Sequence, residues 1–224
     1  MNSPEIRFRR YRTQDLQRCA HIAADAWPAK EHITQDPDKT RILQPYVEIA
    51  AAWSNWTDIA CLDTGEMIGV LFGDTRAKDS RGAGRRLVAS EIRACGKLVL
   101  GRYGRVRRLP TLLWNFMMTE MKLLVNRPDT GAEIMLLLVD SKQRGKGIGR
   151  TLVDRFVDRA SKAGSKRVSV YADDLASNWR FYENYGFRRA GQFFDNWSTY
   201  FNGERSMGIR FSLDLDGSHR TQEL

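Results

Sequence analysis

An α/β fold is what the sequence predicts, and three observations carry that expectation. Residues 134–139 form a continuous apolar run, as in a strand buried on both faces. That run leads to a glycine-rich, cationic turn, Arg144-Gly145-Lys146-Gly147-Ile148-Gly149, which opens into a helix carrying Ile148, Leu152, Val153, Phe156, Val157 and Ala160 on one face. Upstream, residues 58–62 and 67–72 read as two short strands joined by Asp63-Thr64-Gly65-Glu66, a hairpin.

The other elements follow in chain order. Residues 5–10 alternate, with Ile6 and Phe8 on one face, and predict a first strand. Leu16, Cys19, Ala20, Ala23, Ala24 and Trp27 recur at helical spacing until Pro28 ends the pattern. A second helix is expected over roughly residues 38–53, interrupted near Pro45. Residues 75–131 read as a helical segment with a basic face; within it Leu109–Val125 is apolar and long enough for a helix, with Pro110 tolerated in the first turn. Pro128-Asp129-Thr130-Gly131 closes that segment. Gly164 sits where a helix C-cap belongs. Residues 167–172 alternate as a strand, 175–185 predict a helix stopped by Gly186, and 187–194 and 207–213 predict the last strands. The polar tail from about residue 214 is expected to fray. A single domain over 1–224 accommodates all of this.

Composition narrows the function class. Hydrophobic residues make up 42% and charged residues 28%, ordinary for a soluble domain. No apolar run reaches the ~18 residues of a membrane span. The start, Met1-Asn2-Ser3-Pro4-Glu5, lacks the apolar stretch of a secretory signal. Cys19, Cys61 and Cys95 are scattered, and His21, His32 and His219 form no ligand spacing with them, so neither a metal site nor a disulfide framework is expected and a cytoplasmic setting suits the pattern. The net charge of +9 is regional. Of 36 Lys/Arg and 27 Asp/Glu, residues 76–108 hold eleven and two, and the rest of the chain balances. That segment admits three readings: a solvated face, a lid over an anionic ligand, or contact with nucleic acid or the ribosome, of which the solvated face is favoured. The Leu109–Val125 helix also offers a surface for a homodimer.

The turn bears the chemistry. Glycines let the backbone approach a phosphate and adopt positive φ, Lys146 and Arg150 add positive charge, and free amides at a helix start bind anions. The order of residues is neither that of a P-loop nor that of a dinucleotide-binding fingerprint. Some thirty residues on comes Asn178-Trp179-Arg180-Phe181-Tyr182-Glu183-Asn184-Tyr185-Gly186-Phe187. The two motifs together resemble the GNAT superfamily of N-acetyltransferases, specifically over 133–190 and more weakly over 1–75.

The resemblance implies a mixed, mostly antiparallel central sheet flanked by helices, with a helical insertion at about 76–131 between the third and fourth strands. It implies acetyl-CoA as cosubstrate, no metal, and transfer of an acetyl group to a primary amine, on a small molecule or a peptide, by direct attack in a ternary complex. Residues Arg144, Gly145, Lys146, Gly147, Ile148, Gly149 and Arg150 would hold the pyrophosphate, while Leu137, Leu138, Val139 and Asn178 would hold the pantetheine arm. Tyr182 would protonate the leaving thiolate, and Glu133 would act as general base, with Glu31, Asp25 and ordered water as rivals. The residues agree: Asn178 and Tyr182 are four apart and would share a helix face, and a backbone amide near Val139 could polarise the thioester carbonyl. Tyr185 reads as packing. Trp27, Trp53 and Trp56 read as core before they read as walls of an acceptor groove. A nucleic-acid-associated scaffold and a non-catalytic acyl-CoA sensor are the competing functions; the intact Tyr182 speaks against the second.

Overall fold

The computed structural model describes residues 5–27, 29–34, 38–75, 92–104, 106–125 and 131–215. Its elements are β1 (Arg7–Arg9), α1 (Leu16–Ala26), α2 (Gln44–Ala52), β2 (Trp56–Cys61), β3 (Met67–Asp74), α3 (92–99), α4 (Leu109–Val125), β4 (Ala132–Val139), α5 (Ile148–Lys162), β5 (Arg167–Asp173), α6 (Trp179–Tyr185), β6 (Arg188–Phe194), α7 (Asn196–Asn202) and β7 (Met207–Asp214). Seven strands form one sheet in the order β1-β2-β3-β4-β5-β7-β6. Every pairing is antiparallel except β4 with β5.

Each face of the sheet carries its own core. Cys19, Ile22, Val47, Phe72, Leu136 and Leu138 belong to one, built against α1 and α2, with Leu98, Leu112 and Phe201 bringing in α3, α4 and α7. Leu71, Ile134, Leu152, Phe156, Val170 and Phe211 belong to the other, under α5 and α6. The period-2 alternation of a strand sends its neighbouring residues to opposite cores, as Phe72 and Leu71 show.

One irregularity in β4 governs the site. Phe72 pairs with Leu136 and Gly73 with Ile134, so Met135 is an extra residue on β4. Such a bulge bends the strand and shifts its side-chain alternation. Before it, Ala132 and Ile134 face α5 and α6; after it, Leu136 and Leu138 face the opposite core. Gly73 lies beside the bulge, and a Cβ there would overlap the Phe156 ring, so the close approach of α5 needs glycine at this position.

Several expectations are corrected. Pro45 does not interrupt the second helix but sits in its first turn, and α2 starts at Gln44 after a 3-10 turn over Arg41–Leu43. The helix expected over 175–185 begins only at Trp179, because the Asp173 carboxylate takes the amides of Leu175 and Ala176 and the hydroxyl of Ser177, at 3.1, 2.6 and 2.6 Å, and turns the chain there. Helix α7 was not foreseen, although Asp195 caps its start by accepting from the Ser198 amide at 3.1 Å and Gly203 ends it at φ +71. Helices α3 and α4 both lie between β3 and β4. Residues 76–91 and the tail from 216 lie outside the described residues, as do six of the eleven basic side chains of 76–108. Lys97 of α3 is not solvated on a free face: it pairs with Glu48 of α2 at 2.7 Å, and Tyr103 donates to the same carboxylate at 2.8 Å.

Candidate functional site

Strands β4 and β5 stay paired for three residues only, Ala132 with Val168, Glu133 with Ser169 and Ile134 with Val170. From the bulge at Met135 onward they part. The gap is lined as a cavity of about 540 Å³ whose walls come from both cores: Trp27, Tyr46 and Phe201 on one side, Ile148, Phe181 and Tyr182 on the other. The opening therefore connects the two faces of the sheet.

At one end lies the glycine turn. Gly145 and Gly147 take φ +77 and +78, the left-handed region that disfavours any side chain, and Gly147 is the cap of α5. The Arg144 amide reaches Ser141 O and the Thr151 amide reaches Gly147 O at 2.9 Å; no amide of residues 145–150 bonds a backbone carbonyl among the described residues. Those amides lie at the start of α5, whose dipole favours an anion there. The turn is held from behind. Asp140, 6% exposed, accepts from the Lys142 amide at 2.9 Å and from Arg18 Nη2 at 2.6 Å. Arg144 Nε donates to Val139 O at 3.2 Å.

The sequence-derived cofactor residues come together here with one exception. Leu137, Leu138, Val139, Arg144, Gly145, Gly147, Ile148, Gly149, Arg150 and Asn178 all line the cavity. Lys146 does not; its ammonium turns to Gln143 Oε1 at 2.8 Å. Arg150 stacks on the Tyr185 ring, 5.4 Å from its centroid, and Tyr185 donates to Asp154 at 2.6 Å, so Tyr185 ties α6 to α5. Asn178 stands just ahead of α6 rather than within it, and still reaches the cavity with Tyr182.

Tyr182 is 8% exposed and packed among Phe181, Phe187 and Phe211. Gly186, at φ +119, ends α6 and lets the amides of Gly186 and Phe187 turn back to Tyr182 O at 3.2 and 2.9 Å. Burial pushes the Tyr182 phenol well above its ordinary range, so it stays protonated.

Glu133, also 8% exposed, lines the cavity on the opposite side of the sheet. Its Oε1 accepts from Arg210 Nη1 at 3.3 Å, and Arg210, 4% exposed on β7, spends Nη2 on Leu123 O at 3.1 Å. Glu31 and Asp25, the rival bases, are exposed and line no part of the cavity. Of the three tryptophans, Trp27 and Trp53 line it, while Trp56 packs against the α5 core with Arg159 over its ring.

The sequence reading missed what α4 and α7 contribute. Phe116, Thr119 and Glu120 of α4 and Trp197, Ser198 and Phe201 of α7 complete the wall. Beneath them Asp195, with no exposed surface, accepts from Tyr171, from Thr119 at 2.8 Å and from the Ser198 amide. Burial raises the Asp195 carboxyl above its ordinary range despite these donors, and burial raises the Tyr171 phenol well above its own. No local motif announces Arg210; the one legible hint was a lone arginine at an inward position of an apolar strand, Met207–Asp214.

Residues 124–202 match the family model described as Acetyltransferase (GNAT) domain. No curated protein matches the sequence. Among solved structures, the fold resembles a protein assigned to the GNAT acetyltransferases from Desulfovibrio desulfuricans, with a TM-score of 0.55, 14% identity and coverage of 94% of this chain and 99% of that one. It resembles the ribosomal-protein-S18-alanine N-acetyltransferase of Escherichia coli at TM-score 0.50, 13% identity and coverage of 98% and 100%. An N-acetyltransferase from Staphylococcus aureus Mu50 aligns at TM-score 0.51, 16% identity and coverage of 95% and 99%.

Proposed function

We propose that this chain, which matches a GNAT acetyltransferase domain over residues 124–202, is an enzyme that moves an acetyl group from acetyl-CoA to a primary amine by direct attack within a ternary complex. The observation that carries this reading is the gap between β4 and β5: it opens at the Met135 bulge, ends at a turn of unbonded amides, and has a protonated tyrosine in its wall.

The residues fit the cosubstrate. The amides of 145–150, with Arg144 and Arg150, offer a cradle for a pyrophosphate. The unpaired edge of β4 from Met135 to Val139 offers backbone donors and acceptors to the amides of a pantetheine arm, with Asn178 across the gap. Acetyl-CoA supplies an activated acyl carbonyl. The amide that polarises it belongs at the bulge, where the gap begins, rather than near Val139, five residues on from Ile134 at the far end of β4.

The amine nitrogen bonds to the carbonyl carbon as the carbon–sulfur bond breaks. Glu133, which accepts from Arg210, takes the proton that the ammonium must lose before its nitrogen attacks, directly or through water. Tyr182 gives its phenolic proton to the departing sulfur, and the second proton shed by the nitrogen returns to the phenolate by way of solvent, while Glu133 releases its own proton to water. The products are an amide and free CoA thiol.

Calorimetry with acetyl-CoA, followed by thiol release in the presence of amines, tests the reading. Binding at micromolar concentration with amine-dependent thiol release is expected. No binding overturns the functional assignment; binding without release for any amine leaves the acyl-CoA sensor standing.

A further inference from the structure

Helix α4 is apolar on two sides. Its inner side belongs to the fold: Leu112 is buried in the core with Leu109 and Leu113 packed beside it, and Phe116, Thr119, Glu120 and Leu123 line the cavity. Its outer side faces solvent. Pro110, Trp114, Met117, Met121 and Val125 are exposed there, the last four by 58%, 44%, 53% and 83%. They follow one another by four, three, four and four residues, which aligns them as one stripe along the helix. The first four keep the alternation of four and three that marks a helix–helix seam. Exposed apolar residues scattered singly are ordinary, but a line of them that includes a tryptophan marks a docking surface.

Three observations identify the occupant as a second copy of this chain. The stripe carries no charge. The charged residues of 109–125 are Glu120, which lines the cavity, and Lys122, which donates to Phe194 O at 2.9 Å and to Asn196 Oδ1 at 2.6 Å. An anionic lipid surface calls for basic residues along the flanks of such a helix, and an ionic protein partner calls for charge on it. The stripe is also self-complementary. About a two-fold axis midway between Met117 and Met118, Trp114 stands opposite the second copy's Met121, and Pro110 opposite its Val125, in an antiparallel pair. A thioether on an aromatic ring is a favourable contact. The same order keeps the exposed Arg107 and Arg108 of the two copies at opposite ends, where a parallel pair would bring all four guanidinium groups together. Finally, the area suffices: two such stripes bury on the order of 1,000 Å² between them, where specific interfaces begin.

We propose that this chain forms an antiparallel two-fold dimer through the outer stripe of α4, with Trp114 of each copy seated on Met121 of the other. Helix α4 then stands between the cavity it lines and the second copy. The proposal is independent of the acetyl-transfer reading.

The test is the mass of the full chain in solution by sedimentation equilibrium, under reducing conditions that keep the exposed Cys95 from linking copies. A concentration-dependent rise from 25.7 kDa to twice that value is expected, with a dissociation constant on the order of micromolar for an interface of this area. Met117→Glu sets two carboxylates beside the axis and should weaken the dimer at least ~100-fold. Its circular dichroism, and its thermal midpoint at a dilution where wild type is monomeric, should match wild type, because Met117 belongs to neither core nor the cavity wall. Trp114→Glu should also dissociate the dimer, and adding Met121→Lys to it should restore pairing, since only the antiparallel order sets each carboxylate against the second copy's ammonium. A wild-type chain that is monomeric throughout, a Met117→Glu dimer as tight as wild type, or a double variant that stays apart each overturns the proposal. If the monomeric chain then sediments with phosphatidylserine vesicles and Met117→Glu does not, the stripe is given to lipid instead.

Discussion

The two ends of the cavity are built in different ways. The glycine-turn end is local: Val139 to Arg150 supplies strand end, turn and helix start within twelve residues, and Arg18 braces it from a distance. The opposite end is assembled from afar: Trp27, Glu120, Glu133, Trp197 and Arg210 come from five elements or their edges. A phosphate can be recognised by backbone amides, which any sequence with the right φ values provides. An amine and its body need side chains at set positions, which only packing supplies. The contrast predicts that changes at the turn act on cofactor affinity, and changes at the far end act on stability and on acceptor kinetics.

The largest expected effect is at the junction of the two ends. Tyr182→Phe should lower kcat by ~10²-fold or more, about 3 kcal/mol, with acetyl-CoA affinity within about twofold. Wild-type turnover in that variant would remove the tyrosine from proton transfer. At the far end, Arg210→Met leaves Glu133 buried without its guanidinium and should cost about 3 kcal/mol in urea unfolding, while Arg210→Met combined with Glu133→Gln should recover most of it. If the double variant is as unstable as the single one, the ion pair is not what makes Arg210 matter.

At the turn, Gly147→Val forces a β-branched residue to φ +78 and should cost about 1–2 kcal/mol locally, read as roughly tenfold weaker acetyl-CoA binding with kcat at saturation less changed. Space is not the obstacle in the free protein, since nothing lies within 4 Å of a Cβ built there. Unchanged affinity would break the assignment of the turn to phosphate.

The smallest effect concerns two buried carboxylates. Burial acts to raise the Asp15 carboxyl, but the bidentate Arg9 guanidinium, at 2.7 Å to both oxygens, and the Arg12 amide bring it below its ordinary value. Its contribution to stability is present above the unfolded pKa, about 3.9, and is lost as pH falls below it. Asp195 is raised instead by its burial, which its neutral donors only partly offset; its contribution is fully present below about pH 3.9 and falls as pH rises through the folded value. Urea midpoints of Asp15→Asn and Asp195→Asn measured from pH 3 to 7 should therefore diverge from wild type with opposite slopes. Parallel slopes would show that both respond to the same global charge.

Most of the fold was legible because its signals are short-range. The apolar run of β4, the glycine turn and the amphipathic face of α5 are each contained in at most 15 consecutive residues, and the structure has them where the periodicity put them. The helix start at 175 failed because a single carboxylate, Asp173, outbids helix propensity for two amides. Pro45 failed because a proline at a first turn and one inside a helix look alike until the upstream turn is known. The bulge was invisible: Met135 is an apolar residue within an apolar run, and only the pairing with β3 makes it the extra one.

By itself, then, the sequence determined the order of the elements apart from α7, the glycine turn and the tyrosine of α6, since these depend on dihedral preference, period and spacing within a few residues. The tertiary structure alone decided where β4 leaves β5, that Glu133 faces Arg210, and that α4 and α7 wall the far end of the cavity with rings and Glu120. Those outcomes depend on register and on contacts between residues tens of positions apart, from 72 between Phe194 and Lys122 to 87 between Arg210 and Leu123, and no local pattern encodes which distant side chains will share a wall.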